Sequence, residues 1–319
     1  MKKKNIVLKK GKDIMLFYVK HKWDFTDMYS KRSISGFYAW YQLLVRSLKE
    51  SGYTVYENNY ELARANPSYP IGFIGTPFAV SKWNLPNPAI LGPSMYDNPL
   101  INPTLMQDSR FKYYILTCDW LKKVFDKVYG KSKCILWNAG ISTNEWSDVK
   151  SEEKYIDVLI YDKIRWGREK TIPVFLNPIK NYLEKNGLTY FVLQYGDITH
   201  EVYKELLKKS KSMLFLCEHE TQGIAYQEAL ASNVPVIAWD HGWWTDPVWP
   251  AYSIDPIRAT SVPQFSKECG EKFKMISDFP KVFDKFWKKL DNYEPRKFMK
   301  RENSFKKTAD AYARYYFSI

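Results

Sequence analysis

Residues 217–240 read Cys-Glu-His-Glu-Thr-Gln-Gly-Ile-Ala-Tyr-Gln-Glu-Ala-Leu-Ala-Ser-Asn-Val-Pro-Val-Ile-Ala-Trp-Asp, and their reading decides the fold. An apolar strand, Met213 to Leu216, runs into a turn bearing Glu220. A helix then opens at Gly223, and a second apolar strand, Val234 to Trp239, follows the Ser232-Asn233 turn. Eight residues separate Glu220 from Glu228. That is close to a whole number of turns at ~3.6 residues each, so the spacing predicts that both carboxylates address one ligand. The helix start between them offers backbone N–H groups and a positive dipole end, a seat for phosphate. Such a site suits a ligand with hydroxyls at both ends and phosphates between, as in a nucleotide-sugar.

Glu220-x7-Glu228, with Gly223 between and Ala229-Leu230-Ala231 leading to Val234-Pro235-Val236, resembles the signature of retaining glycosyltransferases of the two-domain GT-B fold, family 4 above all. The resemblance implies two Rossmann-like α/β domains facing across a cleft, with a C-terminal helix crossing back to the first. It implies transfer of a sugar from a nucleoside-diphosphate sugar, UDP or GDP, to a glycan, lipid-linked or polysaccharide acceptor. It assigns Glu228 to the ribose hydroxyls and Glu220 to the sugar near its reacting face. The N–H groups of Gln222, Gly223 and Ile224 would hold sugar hydroxyls or phosphate. Attack on the donor's own face, with the departing phosphate as base, needs no protein nucleophile.

A growing charge on the leaving diphosphate must be met by a metal or by fixed cations and dipoles. Asp-x-Asp occurs nowhere, so metal clamping is not expected and no cofactor is implied. Basic side chains are supplied by Tyr161-Asp162-Lys163-Ile164-Arg165-Trp166-Gly167-Arg168-Glu169-Lys170. The resembling family places an Arg and a Lys five apart here. Two registers fit, Arg165 with Lys170 or Lys163 with Arg168, and Arg165 backed by Lys163 or Lys170 is favoured, because a planar guanidinium suits bidentate phosphate contact. The alternative for this stretch is a solvated basic loop, and for Glu220 a helix-capping carboxylate.

Upstream, Ile14 to Val19 reads as the first strand, followed by a polar loop ending in Ser33-Ile34-Ser35-Gly36. Phe37 to Leu48 carries apolar residues at helical spacing, and a strand starts at Tyr53. This strand, glycine loop, helix, strand order is Rossmann-like; by resemblance Gly36 lies against the donor phosphates and the acceptor. Residues 84–103 hold five prolines and little periodicity, an irregular segment expected to join the 20–36 loop in binding acceptor. Asn138-Ala139-Gly140-Ile141-Ser142-Thr143 resembles the turn that ends the first domain, and charged Ser147 to Lys154 reads as the linker. The domains expected are 1–148 with a closing helix at about 304–319, and 149–303. In the second, strands at Ile156 and Tyr190 alternate with helices, implying a parallel sheet. Tyr195 and Gly196, after the Tyr190 strand, are candidates for bordering the nucleobase. His219 and His241 flank the block; His200 takes no role in this reading.

The chain has 319 residues, enough for two domains, and a net charge of +13. That charge suits an anionic substrate or peripheral contact with an anionic membrane, or equally a lysine-rich proteome. Nucleic acid is not the expected partner, for no RNA-binding aromatic motif or zinc-finger spacing is present. Four scattered cysteines indicate neither zinc nor disulfides, and no apolar run has the length of a signal peptide or a membrane span. A cytoplasmic protein is expected. The rival readings are a nucleotide-sugar-binding protein without activity, a basic nucleic-acid-binding protein, and another GT-B class such as a sugar-nucleotide epimerase.

Overall fold

The computed structural model describes residues 6–19, 36–76, 80, 83–93, 95–197, 199–248 and 255–319. The 20–35 part of the expected acceptor loop lies outside them; Gly36 is exposed at the start of a helix. The chain divides into two units. One takes in the N-terminal residues to Gly140 and the C-terminal stretch Phe305–Ile319, and the other holds Ile141–Ser304.

The first unit contains a six-stranded parallel sheet. In chain order its elements are β1 (Asp13–Val19), α1 (Gly36–Glu50), β2 (Thr54–Glu57), α2 (Tyr60–Ala65), β3 (Ile71–Gly75), β4 (Ala89–Leu91), β5 (Phe111–Leu116), α3 (Asp119–Tyr129) and β6 (Cys134–Leu136). Across the sheet the order is β2-β1-β3-β4-β5-β6. β1 reads Asp-Ile-Met-Leu-Phe-Tyr-Val and is buried on both faces, as a strand covered by helices on both sides must be. The proline-rich 84–103 segment is not wholly irregular, because it carries β4. That strand is only three residues long, entered from the Pro88 carbonyl, which accepts from Ile71 N at 2.9 Å. Three residues cannot display a period, so nothing in the sequence marked them.

The last helix, Phe305–Phe317, belongs to this first unit. Tyr312 and Tyr316 are buried in its core, the Met15 N–H donates to Tyr316 Oη at 2.8 Å, and Trp137 Nε1 donates to the Thr308 carbonyl at 2.7 Å. The closing helix thus returns to the first α/β unit.

The second unit holds a five-stranded parallel sheet of order β11-β10-β9-β7-β8. Its elements are β7 (Ile156–Lys163), α4 (Arg168–Thr171), a π turn (Ile172–Leu176), α5 (Asn177–Lys185), β8 (Tyr190–Gln194), α6 (His200–Lys209), β9 (Ser210–Cys217), α7 (Ile224–Ala231), β10 (Val236–Trp239), β11 (Gly270–Phe273), α8 (Phe279–Lys288) and α9 (Pro295–Glu302). The helix closing the chain in the first unit is α10. The charged stretch read as a linker packs onto this second unit: Val149 N donates to Ser232 O at 3.1 Å, and Asn233 Nδ2 to Asp148 Oδ2 at 3.1 Å. Arg296 of α9 secures the residues before it, donating to the carbonyls of Thr143 at 2.7 Å and Trp146 at 2.6 Å. One guanidinium so placed binds the 143–146 segment to the second unit, and the division falls after Gly140. No helix among the described residues is long and apolar enough to cross a membrane.

Candidate active site in the second unit

In a parallel sheet the loops that leave the C-terminal strand ends gather at one edge, where α/β ligands bind. β7 and β9 end side by side, with Lys163 paired to Cys217, and β8 and β10 end beside them. The β9 loop, Glu218-His219-Glu220-Thr221-Gln222-Gly223, therefore meets the β7 loop that carries the basic residues.

Three contacts join those loops. Lys163 Nζ is ion-paired with Glu220 Oε1. The Glu218 carboxylate accepts from the backbone of Arg165 at 2.8 Å and of Trp166 at 3.2 Å, and from Arg165 Nε at 3.4 Å. Arg165 also donates from a terminal nitrogen to the His219 carbonyl at 2.7 Å. Burial, the largest single influence, works against the Lys163 ammonium, but the Glu220 carboxylate, with Tyr195, Cys217 and Tyr161 adding, outweighs it and its pKa is raised. Lys163 is therefore a fixed cation at neutral pH, and its Nζ lies 4.4 Å above the Tyr195 ring. Burial, with Glu220 adding, pushes the Cys217 thiol up, so it stays protonated.

The remaining basic residues separate. Arg168 forms a two-pronged pair with buried Asp162, at 2.9 and 2.7 Å, while Lys170 is exposed on α4. Glu220 itself is fixed from a third side: its N–H donates to Thr260 O at 3.0 Å, and Thr260 Oγ1 donates to Asp240 Oδ2 at 2.9 Å.

Gly223 opens α7 in the left-handed region, at φ 73° and ψ 58°. A side-chain methyl there would run into the Tyr226 ring, 2.6 Å from Cδ1. Glu220 lies ahead of this break and not on the helix, so helical periodicity does not relate it to Glu228. The two carboxylates have different partners: Glu220 faces Lys163, whereas buried Glu228 lies 2.9 Å from Nε2 of the exposed His200 at the start of α6. The first bond of α7 runs from Gln227 N to Gly223 O, so the N–H groups of residues 224–226 point out of the helix start without a carbonyl inside it. The Gln222 side chain turns inward and donates to Gln227 Oε1 at 3.1 Å, which also accepts from Asn303 Nδ2 at 3.1 Å. Gly196, at φ 97°, and Tyr195 follow β8 on the side of the sheet where α6 begins.

Sequence reading missed Glu218 and His200. Glu218 sits inside the opening block, but its role rests on a loop 53 residues earlier. His200 belongs to no motif, and only the meeting of α6 with α7 makes it a neighbour of Glu228.

No protein-family model matches the chain, and no curated protein matches it. Solved structures do. A glycosyltransferase from Rickettsia africae matches at a TM-score of 0.60 and 10% identity, covering 96% of this chain and 98% of that one. Sucrose-phosphate synthase from Thermosynechococcus elongatus matches at 0.58 and 11%, over 96% and 98%. A TarM mutant from S. aureus, crystallised with fondaparinux, alpha-GlcNAc-glycerol and UDP, matches at 0.54 and 10%, over 82% of this chain and 57% of that one. The fold is that of GT-B glycosyltransferases. Identity this low carries the likeness no further than the fold, and the chemistry must be argued from the residues.

Proposed function

We propose that the chain is a retaining, metal-independent glycosyltransferase, family 4-like, that moves a sugar from a nucleoside-diphosphate sugar to a glycan, lipid-linked or polysaccharide acceptor. The observation that carries this reading is the meeting of Lys163, Arg165 and Glu220 at the C-terminal edge of one parallel sheet, beside the helix start at Gly223. Glu228 binds the ribose hydroxyls, the two cations and the N–H groups opening α7 take the diphosphate, and Glu220 lies by the sugar. As the anomeric bond breaks, negative charge grows on the β-phosphate, and cations already fixed in place stabilise it without reorganising. The departing phosphate takes the acceptor's proton. Uracil or guanine is the proposed base; UDP is the nucleotide of the TarM mutant structure. The net charge of +13 suits an acceptor presented at an anionic surface.

A donor screen tests this. Wild type and Glu228→Ala are heated in chelator with UDP-, GDP-, ADP-, dTDP- and CMP-sugars, and slow donor hydrolysis is followed in parallel. Stabilisation by one nucleotide, lost in the variant, supports the reading. No response to any of them sinks it.

A further inference from the structure

The order of the sheet spreads the site along one edge. At the β8 side lie Tyr195, Gly196 and His200 with Glu228; in the middle lie Lys163, Arg165 and Glu220; beyond them, after β10, comes the loop carrying Trp244. His219 leaves β9 into this far side. Its ring sits 5.3 Å from the Trp166 ring at 27°, and 5.4 Å from the Trp244 ring at 47°. Three loops, after β7, β9 and β10, thus each contribute one ring to a single aromatic group.

We propose that Trp166 and Trp244, backed by the buried His219 ring, form the wall on which the pyranose ring of the donor stacks, deepening the nucleotide-sugar reading on which it rests. A nucleoside whose ribose is held at Glu228 points its diphosphate across Lys163 and Arg165, and the sugar beyond the diphosphate then arrives at this wall. The C–H face of a pyranose is apolar and complements the face of an aromatic ring. The wall is uncharged although cations surround it, since burial, with Arg165, His241 and Lys163 adding, pushes the His219 pKa down to about 3. It is also held still. The Arg165 guanidinium covers the Trp166 ring at 4.3 Å while bonding the His219 carbonyl, and Glu218 accepts the Trp166 N–H. The Trp244 backbone N–H donates to Ile257 O at 2.8 Å, fixing the main chain that carries the third ring. The two tryptophans are half-buried, so each keeps surface for a ligand, whereas His219 is buried and serves as their backing.

The test compares a nucleoside diphosphate with its sugar. Calorimetry measures UDP, GDP and the matching nucleotide-hexoses on wild type, Trp244→Leu and Trp244→Phe, with melting curves to confirm folding. The wall predicts that Trp244→Leu weakens the nucleotide-sugar about tenfold and leaves the nucleoside diphosphate within twofold, while Trp244→Phe restores most of the loss. Equal losses for both ligands, or none for either, overturn the wall while leaving the donor site standing. A wild type that binds no nucleotide overturns the donor reading itself, and the wall with it.

Discussion

Nε2 of His200 lies 2.9 Å from Oε1 of Glu228, joining an exposed ring at the start of α6 to a carboxylate buried on α7. The ring occupies one oxygen of the side chain that the proposed site needs for ribose. A nucleoside must therefore share Glu228 with His200 or displace it. Glu228→Ala is expected to raise the Kd of the nucleoside diphosphate at least about tenfold, or ~1.4 kcal/mol. His200→Ala is expected to lower it by a factor of about two to five, because one competitor for the carboxylate is removed. Titration calorimetry on both variants decides. Equal weakening in the two would mean that His200 itself holds the nucleoside.

Gly223 is required for two separable reasons. An L-residue in its left-handed backbone costs ~1–2 kcal/mol, and packing a methyl against the Tyr226 ring adds ~1–3 kcal/mol. Gly187 provides the control, with φ 67° and nothing within 4 Å of an added methyl. Gly223→Ala is expected to destabilise the second unit by about 2–4 kcal/mol, and Gly187→Ala by about 1 kcal/mol. Urea midpoints on the two variants check the difference, and similar midpoints would show that the ring moves aside at little cost.

The fold was legible wherever a run of residues carried its own signal. β9 and β10 are apolar runs bounded by turns, and the glycine between them announces a helix start, so this stretch reads correctly without any partner. β4 was hidden because Ala89–Leu91 is a strand only by virtue of its neighbours β3 and β5. β11 was hidden because its Gly-Glu-Lys-Phe carries two charges and no alternation. The limits of the site reading have the same origin. Glu220 and Glu228 were singled out by a helical spacing that the break at Gly223 interrupts, and their contacts with Lys163 and His200 are brought in by strand pairing and helix packing. The register of the basic turn was equally beyond the sequence, since four cations within eight residues look alike until Asp162 engages one of them.

That engagement yields the next prediction. Arg168 is committed to Asp162, which is 2% exposed, so its removal leaves a buried carboxylate without its ion-pair partner, held by the Ile164 N–H at 3.1 Å. Arg168→Ala is expected to lower stability by about 1–3 kcal/mol. Lys170→Ala, at an exposed position, is expected to change neither stability nor nucleoside-diphosphate affinity by more than about twofold. Lys163→Ala is expected to weaken that affinity at least about tenfold, a charge-assisted contact being lost. A melting curve and one calorimetric titration per variant separate the three roles. Strong weakening by Lys170→Ala with full binding by Lys163→Ala would move the diphosphate to the other register.

His219 makes the stability of the second unit depend on pH. Its pKa is pushed down to about 3 in the folded chain, by burial first and then by Arg165, His241 and Lys163, against an ordinary 6.5. Between those values the unfolded chain binds a proton that the folded chain does not. The stability contributed by a neutral His219 is thus complete above 6.5 and drains away as pH falls toward 3. One pKa unit corresponds to ~1.4 kcal/mol, so the part lost between neutral pH and about pH 5 is about 2 kcal/mol. His219→Phe keeps an aromatic ring between the two tryptophans and has no proton to gain. Wild type is therefore expected to lose about 2 kcal/mol more than the variant between about pH 7.5 and about pH 5, read from urea midpoints. Parallel losses would show that the buried ring accepts its proton in place, and that the wall is charged at acidic pH.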